Sequence, residues 1–251
     1  MISPKQGLPA DRLRKEKDEG GTMPVVELDN IWKTYHMGSV DVHALRGVNL
    51  DIHRGTIVSI MGPSGSGKST LLNLLGCLDR PTNGGYRLNG RAVSDLNENE
   101  LSETRSRQIG FIFQSYNLIP VLTAAENAEF TLMLQGRERS ERRERVLDIF
   151  AELGLEGLAN RRPNDLSGGQ QQRVAIARAL ATEPAVILAD EPTANLDSKT
   201  SEDLLDLMRD LNTEKKVTFL FSSHDPMVIG YGRRVIELKD GPLESDRWKT
   251  S

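Results

Sequence analysis

A single cysteine, Cys77, in a chain of 251 residues excludes an internal disulfide framework and suits a reducing compartment. It is expected within an apolar helix and reads as core packing, not chemistry. No apolar run approaches the ~18 residues of a membrane span. The N-terminus carries no apolar region of the signal-peptide kind, so the expectation is a soluble or peripheral protein. A global basic field is also missing. The 32 Lys and Arg against 36 Asp and Glu leave a formal charge of −4, and charge alone does not favour nucleic acid as a partner. There is no internal repeat. Residues 1–22 have little apolar content and many Lys, Arg, Asp, Glu and Gly, so a disordered tail is expected there.

What the chain does have is a complete phosphate-binding loop, Gly62-Pro63-Ser64-Gly65-Ser66-Gly67-Lys68-Ser69-Thr70. It follows the apolar strand Thr56 to Met61 and precedes an apolar helix expected to start near Lys68, which is the context the motif needs. Glycines let backbone N–H groups turn onto phosphates, and the helix N-terminus adds a positive dipole end. Lys68 would reach the β- and γ-phosphates of a nucleoside triphosphate, and Ser69 would ligate Mg²⁺. A bare strand-to-helix turn is the bland alternative, and the Lys-Ser pair weighs against it.

Around this loop the pattern is α/β. Val25 to Leu28 and Val42 to Ile52 read as strands of a small antiparallel element, with Gly84 to Gly90 as a hairpin piece. Ile109 to Phe113 is a short apolar strand, and residues 123–158 show helical spacing within a helical insert at about 115–172. Ala185 to Ala189 and Val217 to Phe221 read as buried parallel strands joined by a crossover helix over Ser201 to Leu211. The domain expected from this spans 23–241, with 242–251 as a C-terminal tail. The Arg137, Arg139, Arg142, Arg143 and Arg145 cluster alternates with Glu138, Glu141 and Glu144, which suggests a solvated helix face with i,i+4 pairs; contact with lipid headgroups is the sharper alternative.

Strand Val186 to Ala189 ends in Asp190-Glu191, placing acids at the carboxyl end of a sheet beside the phosphate loop. Asp190 would hold Mg²⁺ through water, and Glu191 would orient and deprotonate the attacking water. An acidic pair after a strand is also compatible with a helix cap. Leu166-Ser167-Gly168-Gly169-Gln170-Gln171-Gln172-Arg173 places a capping serine before bare glycine N–H groups, a second anion site or a plain capped helix.

This last string resembles the signature of the ABC ATPases, and the resemblance covers about Val25 to Gly241. It implies an α/β P-loop NTPase of ABC type: a mixed core sheet with flanking helices, a small antiparallel β element and a helical insert subdomain. It also implies that Ser167, Gly168, Gly169 and Gln170 close on the γ-phosphate held by a second copy, sandwiching two ATP in a homodimer. Tyr35 matches the aromatic that stacks on adenine, with a packed aromatic as the alternative reading. Gln114 matches the glutamine that contacts Mg²⁺ and water and senses a membrane partner. His224 matches the histidine that contacts the γ-phosphate, with a strand-end core histidine as the alternative. Asp197, in Asn195-Leu196-Asp197, matches the loop coupling the two sites.

Several strings look closer to one branch, the bacterial lipoprotein-release and macrolide-export ATPases: Val42 to Val48, Leu75 to Pro81, Gly110 to Gln114 and Leu188 to Thr193. That likeness implies a subunit seated on the cytoplasmic face of the inner membrane, hydrolysing ATP to drive separate permease subunits with an extracytoplasmic domain. The cell-division ATPase is a near relative, and a DNA- or ribosome-acting ABC ATPase is the alternative from another class. Ala194 stands where the branch has Gly, and Ser222-Ser223 precedes His224 where a Thr is more usual.

Overall fold

The computed structural model describes residues 23–249, so the tail expected over 1–22 lies outside the described residues. The elements run β1 (Val26–Met37), β2 (Val40–Ile52), β3 (Ile57–Met61), α1 (Lys68–Leu75), β4 (Asn83–Leu88), β5 (Arg91–Ala92), α2 (Glu98–Gln108) and β6 (Ile109–Ile112). They continue as α3 (Ala124–Leu134), α4 (Arg139–Glu152), α5 (Gly168–Ala181), β7 (Val186–Asp190), α6 (Ser198–Lys215), β8 (Phe219–Ser222), α7 (Pro226–Tyr231), β9 (Arg234–Leu238) and β10 (Leu243–Trp248).

The central sheet has the order β10-β9-β3-β8-β7-β6, all parallel except β10. Its inner strands β3, β8 and β7, with β6, are mainly apolar because both faces are covered, and alternate side chains enter different cores. Val186 and Leu188 of β7 join one cluster with Leu71 and Leu75 of α1 and the antiparallel sheet β2-β1-β4-β5. Ile187 and Ala189 face the other cluster, with Phe150, Ile176 and Leu205 from α4, α5 and α6. The phosphate loop therefore sits at the carboxyl edge of a sheet clamped from both sides, a rigid base for loops that must hold charge.

The structure departs from the sequence expectations in four places. Cys77 is buried but lies beyond the end of α1, in the left-handed region at φ 52, and not within the helix. Helix α2 escaped the apolar pattern because only Leu101 and Thr104 of it are buried; its start is written as a capping box, Asn97 with Glu100. The Arg/Glu cluster makes one i,i+4 pair, Arg137 with Glu141, while Arg143 reaches Glu129 of α3 and Arg145 reaches Glu183 after α5. These cross-element pairs tie α4 to its neighbours.

The fourth departure is at the C-terminus, where residues 243–248 form β10 against β9 and not a tail. A largely buried ion pair holds it. Arg234 donates through Nε to Asp246 at 2.8 Å and through its second nitrogen to the backbone carbonyl of Asp51, and its guanidinium lies 5.3 Å from the Trp248 ring. Breaking such a pair from one side leaves a buried charge alone, so Arg234→Ala should cost about 3–5 kcal/mol. Urea unfolding checks this: a midpoint equal to the parent's contradicts the role assigned to the pair.

Candidate active site

The phosphate loop is built by backbone geometry that only glycine supplies. At Gly62, φ is 149, and a Cβ would lie 2.2 Å from the carbonyl oxygen of Leu238. Gly67, at φ 107, is the N-cap of α1 and offers no side chain to its first turn, so the helix N-terminus is left for an anion. Lys68 Nζ donates to the carbonyls of Gly62 at 2.6 Å and Pro63 at 3.0 Å. The ammonium is thus parked over the loop that would receive phosphates.

A cleft of about 1190 Å³ opens here. Lys68, Ser69, Gln114, Asp190, Glu191 and His224, separated by as many as 156 residues in sequence, all line it, as do Gly62, Pro63, Ser64, Gly65, Gly67 and Thr70. Burial pushes the Asp190 carboxyl above the usual carboxylate range; Ser222 and Lys68 oppose this, and the Glu191 charge adds to it. Glu191, at φ 46, accepts from Ser223 Oγ at 2.7 Å, from the backbone N–H of His224 at 3.2 Å and from His224 Nδ1 at 2.6 Å. The side chain of His224 is 79 % exposed, so it is a cleft-facing group and not a core histidine.

Ser69, Gln114 and Asp190 offer a hydroxyl, an amide and a carboxylate to the same cleft, a hard oxygen set. Among the described residues no three His, Cys, Asp or Glu side chains cluster as a metal cage. The set fits Mg²⁺, which keeps water and is held partly through substrate phosphates.

Ser66, Ser167, Gly168, Gly169, Gln170, Asp197 and Tyr35 are not among the residues lining the cleft. The Ser66 hydroxyl is buried without a hydrogen-bond partner. Ser167 caps α5 in a closed box: its Oγ accepts from the Gln170 N–H and Gln170 Oε1 accepts from its own N–H. The two glycines after it have a packing reason that their sequence did not disclose. A Cβ on Gly168 would lie 2.9 Å from the Tyr116 hydroxyl, and one on Gly169 would lie 2.6 Å from the Thr200 methyl. Asp197 caps α6, accepting from Thr200 N–H at 3.0 Å and Thr200 Oγ1 at 2.6 Å, and these bonds hold its carboxyl below the usual range.

The loops carrying these groups are bonded to one another. Asn195 Nδ2 donates to the Gln114 carbonyl at 2.9 Å, and Arg178 of α5 donates to the carbonyls of Tyr116 and Asn117 at 2.8 and 2.6 Å. Displacing the loop after Gln114 therefore strains both α5 and the Asn195 turn. Tyr35 donates its hydroxyl to Asp79 Oδ2 at 2.9 Å, and Lys33 Nζ lies 4.8 Å from its ring while also pairing with Asp79. Burial alone would raise the Asp79 carboxyl, but bonds from Lys33, the Arg80 N–H and Tyr35 outweigh it and hold the group low. The sequence marked Asn195 as part of a coupling loop and Ser223 as a departure before His224, and held Asp79 and Arg46 only within longer strings, without the contacts they make; Arg178, and Asp41 and Asp240 on the cleft wall, carried no sequence signal.

Comparison with known proteins places these observations. The family model described as ABC transporter matches residues 45–194. The chain is 51 % identical over 226 residues to an ABC transporter ATP-binding protein of Methanocaldococcus jannaschii, MJ0796, covering 88 % of this chain and 96 % of that protein. It is 47 % identical to a macrolide export ATP-binding/permease protein MacB of Syntrophobacter fumaroxidans, over 89 % of this chain but only 32 % of that longer protein. Among solved structures, dimeric MJ0796 in a post-hydrolysis state with ADP and Pi superposes with a TM-score of 0.82 at 50 % identity, covering 90 % of this chain and 99 % of that one. The cbiO1 subunit of the Clostridium perfringens cbiONQ transporter gives 0.80 at 28 % identity, covering 90 % of this chain and 88 % of that one.

Proposed function

The chain belongs to the ABC transporter family of ATP-binding subunits and is an ATP hydrolase, and from that premise we propose how its residues divide the work. Lys68 and the first turn of α1 hold the β- and γ-phosphates, and Thr70 and Ser64 line their path. Ser69, Gln114 and Asp190 hold Mg²⁺, which when bound supplies charge neutralisation for the phosphates. Glu191 is the general base. One water O–H bond breaks and its proton passes to Glu191 as the oxygen bonds the γ-phosphorus and the bond to the ADP oxygen breaks. His224 steadies the γ-phosphate from the strand end, and Tyr35 supplies the aromatic surface for adenine.

The observation that carries this reading is the convergence of the phosphate loop with Asp190, Glu191, Gln114 and His224 on one cleft. Ser167 to Gln170 lie off that cleft and serve the nucleotide of a second copy, so the working unit is a homodimer; the dimeric MJ0796 structures support this. The domain, with β10 included, sits peripherally on the cytoplasmic face of a membrane and drives separate permease subunits with an extracytoplasmic domain, of the lipoprotein-release or macrolide-export kind. The likeness to MacB supports that branch. No helix of the described residues is long and apolar enough to cross a membrane.

Tagged full-length chain carried through detergent extraction of native membranes in Mg-ATP, followed by mass spectrometry, tests the partner. A co-purifying permease with a large extracytoplasmic domain is the expected result. Recovery of only soluble or nucleic-acid-binding proteins contradicts the transporter assignment and leaves the ATPase chemistry standing.

A further inference from the structure

We propose that Ser223 is a positioning residue for hydrolysis: its hydroxyl anchors one oxygen of the Glu191 carboxylate from the sheet side, leaving the other oxygen to meet the attacking water. The inference rests on the reading of Glu191 as the general base.

The two carboxylate oxygens sit in different surroundings. Oε2 accepts from Ser223 Oγ at 2.7 Å, and Ser223 is 1 % exposed. Oε1 accepts from His224, through its backbone N–H and through Nδ1, and that side chain is 79 % exposed. A histidine in solvent can swing to a bound phosphate; a buried serine cannot leave. When the His224 ring turns away, Oε1 loses its 2.6 Å partner and opens to the cleft, keeping only the backbone N–H of His224 at 3.2 Å, while Oε2 stays held by the buried hydroxyl.

The direction of the Ser223 hydroxyl follows from its partners. Its oxygen accepts the backbone N–H of Asp225 at 3.1 Å, and an ionised carboxylate can only accept, so the single hydroxyl proton points at Glu191. The frame around the pair is fixed. The Ser223 N–H donates to the carbonyl of Ile60 in β3, and the Glu191 N–H donates to the carbonyl of Ser222 at the end of β8. Glu191 itself is held at φ 46, a backbone state that a non-glycine residue keeps only where its surroundings impose it. Sheet, backbone and hydroxyl together point one carboxylate, and the hydroxyl is the one part a single substitution removes.

The test is steady-state Mg-ATP hydrolysis by the full-length chain carrying Ser223→Ala, Ser223→Thr or Ser223→Cys, beside Glu191→Gln. Loss of orientation without loss of binding predicts that Ser223→Ala lowers kcat roughly tenfold or more with KM within about twofold. Threonine keeps the donor and should restore kcat to within about threefold of the parent; a purely structural role would not be rescued this way. Cysteine fills the site with a weak donor and covers the case of an alanine variant that does not fold; it too should lose kcat selectively. Parental kcat in the alanine or cysteine variant, or a threonine variant as slow as alanine, overturns the role of Ser223. Parental turnover by Glu191→Gln overturns instead the reading of Glu191 on which it rests.

Discussion

Replacing Glu191 by Gln should slow ATP turnover by about 10²-fold or more, the contribution expected of a positioned general base, while leaving ATP binding within about threefold of the parent. The substitution keeps the shape of the side chain and an acceptor oxygen for Ser223, and takes away the charge that would draw a proton from water. Glu191 stands at the carboxyl end of β7 with its backbone N–H bonded to β8, so the amide would occupy the same place. Nothing in the phosphate loop depends on it. Single-turnover hydrolysis beside an equilibrium binding measurement separates the two steps. Turnover within a few-fold of the parent would mean that another group takes the proton.

Lys68→Ala should act on the other step, weakening ATP binding by about 10²-fold or more, since a charge-assisted contact with two phosphates is lost along with its pre-set position. The Lys68 hydrogen bonds in this structure go to the Gly62 and Pro63 carbonyls at the mouth of the cleft, and its side chain joins neither apolar core. The unfolding midpoint should therefore stay close to the parent's. Calorimetric titration with Mg-ATP checks the affinity, and a Kd within about threefold of the parent would contradict the assignment of Lys68 to the phosphates. The two substitutions divide the site into a part that holds and a part that reacts.

The phosphate loop was readable because everything that defines it is local. A strand, a turn that needs left-handed glycines and a helix follow one another within 20 residues, and the structure places α1 where the apolar spacing does. The buried parallel strands were readable for the same reason, since both faces of β7 and β8 are apolar. Strand β10 was not. Its residues Leu243 to Trp248 are largely polar, and what holds them is Arg234 meeting Asp246, a contact that no periodicity announces.

The site shows the same division. Asp190 and Glu191 could be placed near the phosphates because a strand end beside such a loop has one geometry. Ser223 could be noticed only as an unusual residue before His224; that its hydroxyl meets Glu191, 32 positions away, depends on β7 and β8 lying side by side. Tyr35 was read for its ring, and its tether to Asp79, 44 positions on, emerges only from the fold. The glycines after Ser167 were read for their N–H groups, whereas their small size is also required by Tyr116 and Thr200.

In the proposed homodimer, Ser167 to Gln170 of one copy complete the cleft of another. The most direct measurement is the oligomeric state of the Glu191→Gln chain by sedimentation with and without saturating Mg-ATP. A monomer without nucleotide and a dimer holding two ATP with it are the expected result. A chain that binds ATP and remains a monomer would contradict it.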